Sequence, residues 1–170
     1  AKFGCYHTEK QLLATTAEQL GLIAQGDYRW CRHPLAYLLE AADDICYTLI
    51  DLEDGLALNM LRYEEIEPLF LQLLDDLPPP PELKQDVSAL QKIAALRGKV
   101  IEKLVMAVTD AFAQQQEALL SGQLVGSLLN HCSAQLSDGI DAAKKLARER
   151  IFNHPQKAQL ELAAYASLHT

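Results

Sequence analysis

The spacing of apolar positions along this chain has a helical period almost throughout. Leu12, Leu13, Ala17 and Leu20 recur at helical intervals behind Thr8, a residue type that caps helix N-termini, and predict a first helix closed by Gly21 and Gly26. A loop then runs through Trp30. Pro34 suits the first turn of the next helix, where its missing N–H costs nothing, and the pattern continues from Leu35 to Asp54, with Gly55 able to end it. A further helix is predicted over Tyr63–Leu77, with Pro68 imposing a kink or a later start. Pro78 to Pro81 form a stiff extended connector.

Beyond it a long helix is predicted over 82–120, carrying Leu83, Val87, Leu90, Ile93, Val100, Leu104, Val108 and Phe112 inward and ending at Gly122. Gly98 weakens its centre and marks a candidate close contact. Shorter helices are predicted over 123–132, 137–152 and 155–168, with Pro155 separating the last two. No alternating strand pattern reaches convincing length. The expected fold is therefore all-α, an irregular multi-helix bundle around a long central helix.

Composition supports this reading. The 170 residues are 49% hydrophobic with only 8 Gly, enough apolar surface for a real core and few encoded turns. The formal net charge of −8 argues against broad nucleic-acid or anionic-membrane binding, which depend on Lys and Arg density. Cys5, Cys31, Cys46 and Cys132 form no CxxC pair, which fits a reducing cytosol better than a disulfide framework, and a cytoplasmic location is expected. No apolar run is long enough to span a membrane. The first residue is not Met, as expected of a fragment or a cleaved chain.

The helix from Pro34 departs from an ordinary amphipathic design. At about 100° per residue, with Asp43 at zero, Asp54 falls near 20°, Tyr47 near 40°, Glu40 near 60° and Asp51 near 80°. Four carboxylates and a tyrosine thus share one narrow arc. Leu35, Leu38, Leu39, Ala41, Ala42, Ile45, Cys46, Leu49, Ile50 and Leu52 occupy most of the remaining circumference, so burial on most sides is expected. Stacked carboxylates repel, and a divalent cation or a polar ligand would relieve them. A narrow solvated stripe on a core helix accounts for the same pattern.

The stretch from Arg32 to Gly55, RHPLAYLLEAADDICYTLIDLEDG, closely resembles a signature of the dGTP triphosphohydrolases of the HD superfamily. Lys2 to Tyr6 with Glu9 and Lys10, Leu96 to Ile101, and Arg148 to Phe152 are also similar to that family, so the resemblance covers nearly the whole chain. It implies an HD-domain-like bundle in which residues 1–77 belong to the C-terminal part of the catalytic core and 82–170 form a helical C-terminal region. It implies hydrolysis of dGTP or other dNTPs to deoxynucleoside and triphosphate, dependent on a divalent metal such as magnesium or manganese. It further implies a homo-oligomer, with a nucleotide effector as a possible regulator.

Residue by residue, the resemblance makes Asp43 a metal ligand, Tyr47 the group that packs on the deoxyribose, and Asp51 the acceptor for the 3′-hydroxyl. Lys2 matches a lysine near the triphosphate, and a surface lysine reads equally well there. Arg97 matches an arginine near the nucleotide, and a structural salt bridge reads equally well. Asp44 is the weaker ligand candidate, suited to pairing with a neighbouring arginine or a backbone group, and Glu40 suits a structural role. The family's other metal ligands, a His and a His-Asp pair, have no counterpart here. His7, His33, His131, His154 and His169 form no ligand set, and no general base is identifiable. The segment alone is expected to be inactive and to bind metal poorly. Two competing readings are a non-catalytic helical oligomerisation or regulatory module, and an HD phosphohydrolase acting on another nucleotide.

Overall fold

The computed structural model describes residues 5–168. Within them seven α-helices and one short hairpin form the secondary structure. The helices are α1 (Lys10–Gln19), α2 (Pro34–Ala57), α3 (Tyr63–Leu74), α4 (Ala89–Gln114), α5 (Gln116–Leu120), α6 (Ala134–Ala147) and α7 (Pro155–Leu168). The all-α expectation holds.

The ends of these helices depart from the sequence pattern for local reasons. The chain enters α1 through a 3-10 turn at His7–Glu9, where the Glu9 carboxylate accepts the Tyr6 N–H at 3.0 Å in place of a Thr8 cap. Strands β1 (Ala24–Gly26) and β2 (Arg29–Trp30) pair antiparallel in the stretch read as loop. Gly26 and Tyr28 take positive φ to make the turn, and the Lys10 ammonium sits 5.2 Å from the Tyr28 ring centre. Five residues of strand are too few for a period to register.

Helix α2 begins as expected, with Pro34 in the first turn and the His33 ring accepting the Leu35 N–H at 3.2 Å. It does not end at Gly55. That glycine is buried inside the helix, where an added Cβ would lie 2.7 Å from Ile151 Cδ1 and 2.9 Å from Leu61 Cδ1. Asn59, at φ 56°, makes the turn instead. Helix α3 starts at Tyr63, so Pro68 delays nothing; it sits within the second turn. The long helix is shorter than its apolar pattern. Residues 81–84 form a 3-10 turn, and Ser88 caps α4 by accepting the Gln91 N–H at 3.3 Å. Gly98 has nothing within 4 Å of its Cβ position, so it marks no close contact; Gly139 does, with Leu73 Cδ2 at 2.7 Å. The helix expected over 123–132 does not form: Gly126 at φ 82° bends the chain, and only Leu128–His131 turn, as a 3-10 helix. Helix α6 starts at its Ser133 cap and widens into a π turn over Arg148–Phe152.

Helices α2, α3, α4 and α6 pack on one another around a continuous core. Leu49 and Leu52 of α2, Ile66, Phe70 and Leu73 of α3, Ile93, Leu96, Val100 and Leu104 of α4, and Ile140 of α6 are fully or almost fully buried. Each such side chain contributes roughly 1.5–3 kcal/mol relative to exposure. Elements on both sides of the Pro78 to Pro81 connector share this core.

The core fixes α2 on one flank only. Tyr37, Ala41, Ile45, Thr48, Leu49, Leu52 and Gly55 are buried, whereas Leu35, Leu39, Ala42, Cys46 and Ile50 are exposed. The expectation that α2 is covered on most sides is therefore not met. Among the described residues nothing lies over that flank.

Candidate active site

The site is built on the packing of α6 against α2. Tyr47 and Asp51 stand one turn apart on α2, and Asp43 lies one turn before Tyr47. Lys144 and Arg148 stand one turn apart on α6 and its π turn, with Phe152 a turn further. The two rows face a cleft of about 210 Å³ lined by Asp44, Tyr47 and Asp51 from α2 and by Lys144, Arg148 and Phe152 opposite, with Thr48 and Ala147 at its floor. Complete small-molecule pockets measure roughly 300–1,000 Å³, so this cleft accommodates a portion of a nucleotide.

The charges in the cleft are ordered. Lys144 Nζ lies 3.1 Å from an Asp44 carboxylate oxygen, bridging α6 and α2. Thr48 donates its hydroxyl to the Asp44 carbonyl at 2.6 Å, a backbone tie within the helix. Arg148 is exposed, and its side chain makes no hydrogen bond or ion pair among the described residues. Burial pushes the Asp51 carboxyl above its ordinary pKa; Asp54 repels it in the same direction, and Lys157 pulls it back. Lys157 also lies 4.7 Å from the Phe152 ring centre, at the start of α7.

The residues singled out in the sequence divide between two places. Tyr47 and Asp51 come together in the cleft. Asp43 is exposed beside it, and its side chain makes no hydrogen bond or ion pair among the described residues. Arg97 is engaged elsewhere, in an ion pair between α4 and Glu53 of α2. Glu40 holds Arg32, whose guanidinium lies 4.0 Å from the Tyr37 ring centre and donates to the Gly126 carbonyl at 3.2 Å. Asp44 pairs with a lysine, where an arginine or a backbone group was expected. Lys2 and His169 lie outside the described residues. No group of three or more His, Cys, Asp or Glu that could hold a metal ion occurs among the described residues. The donor set present, one exposed carboxylate at Asp43, does not fit a divalent metal by itself.

The sequence reading passed over Lys144 and gave no role to Arg148 and Phe152, which it noted only within a family-like segment. Their spacing of four residues puts them on one helical face, and that much was legible. That this face opposes Tyr47 follows only from the packing of α6 on α2.

A Pseudomonas aeruginosa protein named as deoxyguanosinetriphosphate triphosphohydrolase-like is 49% identical over 169 residues, which is 98% of this chain and 38% of the relative. A Synechocystis protein of the same name is 34% identical over 172 residues, covering 98% of this chain and 37% of its own length. The chain belongs to the dGTP triphosphohydrolase family. A dGTP triphosphohydrolase of Serratia proteamaculans is 32% identical over 149 residues, 79% of this chain and 29% of the relative. No protein-family profile matches the chain. The chain thus spans well under half the length of these dGTP triphosphohydrolase relatives and corresponds to their C-terminal part. No helix among the described residues is long and apolar enough to cross a membrane.

Proposed function

We propose that the intact protein hydrolyses deoxynucleoside triphosphates to deoxynucleoside and triphosphate, and that this segment supplies the sugar-binding side of its active site. The observation that carries the reading is the meeting of Tyr47 and Asp51 with Lys144 and Arg148 in one cleft of a chain this similar to dGTP triphosphohydrolases. The Tyr47 ring packs against the sugar and leaves no space for a 2′-hydroxyl. Asp51, as the carboxylate, accepts the 3′-hydroxyl proton in a hydrogen bond. Lys144 and Arg148 offer the cations that a triphosphate needs, one as a point charge and one as a bidentate fork. Water attacks the α-phosphorus, the bond to the 5′-oxygen breaks, and that oxygen takes up a proton. Phosphoryl chemistry of this kind rests on positioning and charge stabilisation.

Asp43 is proposed as one ligand of a divalent metal, magnesium or manganese. The other ligands must come from outside this segment, which alone is inactive. Lys2 and Arg97 are the remaining cations that the family resemblance assigns to the nucleotide; Arg97 reaches a phosphate only by leaving Glu53. The intact enzyme is proposed to be a cytoplasmic homo-oligomer, open to control by a second nucleotide. In it residues 1–77 belong to the HD-type core and 82–170, beyond the proline connector, to the helical C-terminal region.

Triphosphate release by the intact protein, measured for each dNTP and rNTP with magnesium or manganese, tests the proposal. Metal-dependent release from dNTPs, lost in Asp43→Ala, is the expected result. Release of pyrophosphate or single phosphates, or no release from any dNTP, overturns it.

A further inference from the structure

Lys144, Arg148 and Phe152 line the cleft together, although a regular α-helix does not hold them in one row. At about 100° per residue, a step of four overshoots a full turn by about 40°, so on a continuous α-helix Phe152 drifts about 80° away from Lys144. The π turn over Arg148–Phe152 takes up that drift. The Asn153 N–H donates to the Arg148 carbonyl, five residues back, at 3.2 Å. A turn closed by such a bond holds one residue more than an α turn, so each residue advances by a smaller angle. Turns of this kind are rare, and something must hold this one open against the helix that leads into it.

Two residues of the turn that do not line the cleft make the holding contacts. Ile151 is buried against Gly55 of α2, its Cδ1 2.7 Å from where a Cβ would stand. Arg150 reaches the start of α3, where its Nη1 lies 2.6 Å from one Glu65 carboxylate oxygen. Its Nη2 donates to the Met60 carbonyl at 3.5 Å. The other Glu65 oxygen accepts the Arg62 N–H at 2.9 Å, a bond that holds the Glu65 carboxyl below its ordinary pKa. Glu65 is therefore fixed by the first turn of α3, and a fixed carboxylate fixes the guanidinium that meets it.

We infer that Arg150, clasped by Glu65, is a positioning residue: it holds the π turn open and so aims Arg148 and Phe152 at the ligand in the cleft. Arg150 acts through Arg148 and touches no reacting group itself. Ile151 anchors the same turn, but its loss also opens the core, whereas the Arg150–Glu65 pair is partly exposed and separable from core packing. What the cleft binds rests on the proposed function; that Arg150 sets the turn does not, and the test reads binding and turn order apart from turnover.

The intact protein with magnesium is titrated with inorganic triphosphate by calorimetry, and amide exchange at Asn153 and urea midpoints are measured for the same variants. Arg150→Met is expected to weaken triphosphate binding by about tenfold through misplacement of Arg148. It should also speed exchange of the Asn153 amide, and leave the urea midpoint nearly unchanged because a partly exposed ion pair adds little to global stability. Arg150→Lys, which keeps a charge opposite Glu65, should recover most of the binding. In an Arg148→Met background Arg150→Met should weaken binding no further, since nothing remains to be aimed. Unchanged binding or unchanged Asn153 exchange in Arg150→Met overturns the inference. Losses that add in the double variant also overturn it, because Arg150 then acts independently of Arg148. A urea midpoint that falls equally in Arg150→Met and Arg150→Lys, with binding lost in both, makes the pair purely structural and overturns it too. A protein that hydrolyses no dNTP but shows the expected binding and exchange changes sinks the proposed function and leaves the positioning role standing; turnover with binding unaltered in Arg150→Met does the reverse.

Discussion

Lys144 of α6 reaches across to Asp44 of α2, its Nζ 3.1 Å from a carboxylate oxygen, so one of the two cations proposed to meet the triphosphate is held by an internal anion. Both side chains are partly exposed, at 37% and 26%, so the pair contributes at most about 1 kcal/mol to stability. An incoming polyphosphate can displace Asp44 at little cost. On the proposed reading, removing Lys144 removes a charge-assisted bond to the ligand, and removing Asp44 removes a competitor. In the intact protein Lys144→Met is therefore expected to weaken inhibition by inorganic triphosphate by about tenfold or more, while Asp44→Asn leaves it unchanged or tightens it. Inhibition constants for the two variants check this, and equal weakening in both would refute the arrangement.

Tyr47 is 63% exposed in the segment, so it contributes little packing to the core, and the role proposed for it is one of shape toward a ligand. Tyr47→Ala is expected to leave the fold intact and to relax discrimination against ribonucleotides by about 10- to 200-fold, the range that shape selection alone supplies. The ratio of kcat/KM for a dNTP and its matching rNTP measures the effect. A variant that retains full discrimination removes the assignment.

Asp51 titrates above the ordinary aspartate range because burial, and then Asp54, disfavour its charged form. The folded state thus binds this proton more tightly than the unfolded state. Its unfavourable contribution is absent below the unfolded pKa and grows as pH rises through the raised folded value. The proposed hydrogen bond to a 3′-hydroxyl would need the carboxylate, so the acidic limb of kcat/KM against pH is expected above the ordinary aspartate range. Asp54→Asn should move that limb to lower pH by removing a repulsion. Lys157→Met should move it to higher pH by removing an attraction.

The glycines of two helices make opposite stability predictions. Gly98 has open space at its Cβ position in the middle of α4, so Gly98→Ala is expected to stabilise by about 0.5–1 kcal/mol. Gly55 has Ile151 and Leu61 within 3 Å of its Cβ position, so Gly55→Ala is expected to destabilise by about 1–3 kcal/mol. Phe70→Ala, in the fully buried core, should cost about 3–5 kcal/mol. Urea unfolding midpoints at unchanged slope report all three.

Helix periodicity is strong over long segments, which is why α2 and most of α4 were readable from apolar spacing, while α7 was placed by the Pro155 break. The failures fall where single backbone residues decide. Gly126 and Tyr28 bend the chain through positive φ, and apolar counting carries no information about such bends. The misplaced end of α2 has another cause. A glycine reads as a stop signal because it adopts left-handed φ easily, yet Gly55 is selected by the closeness of Ile151, a contact nearly a hundred residues away in sequence.

The sequence by itself determined that the chain is helical, that Asp43, Tyr47 and Asp51 share one face, and which family it resembles, because each of these depends on local spacing or on residue identity. Only the tertiary structure decided that Lys144, Arg148 and Phe152 face Tyr47 and Asp51, that Arg97 is tied to Glu53, and that α2 keeps one apolar flank open. Those relationships depend on which helices touch, and the packing of α6 and α4 on α2 is set by burial of the whole core rather than by any spacing within one helix.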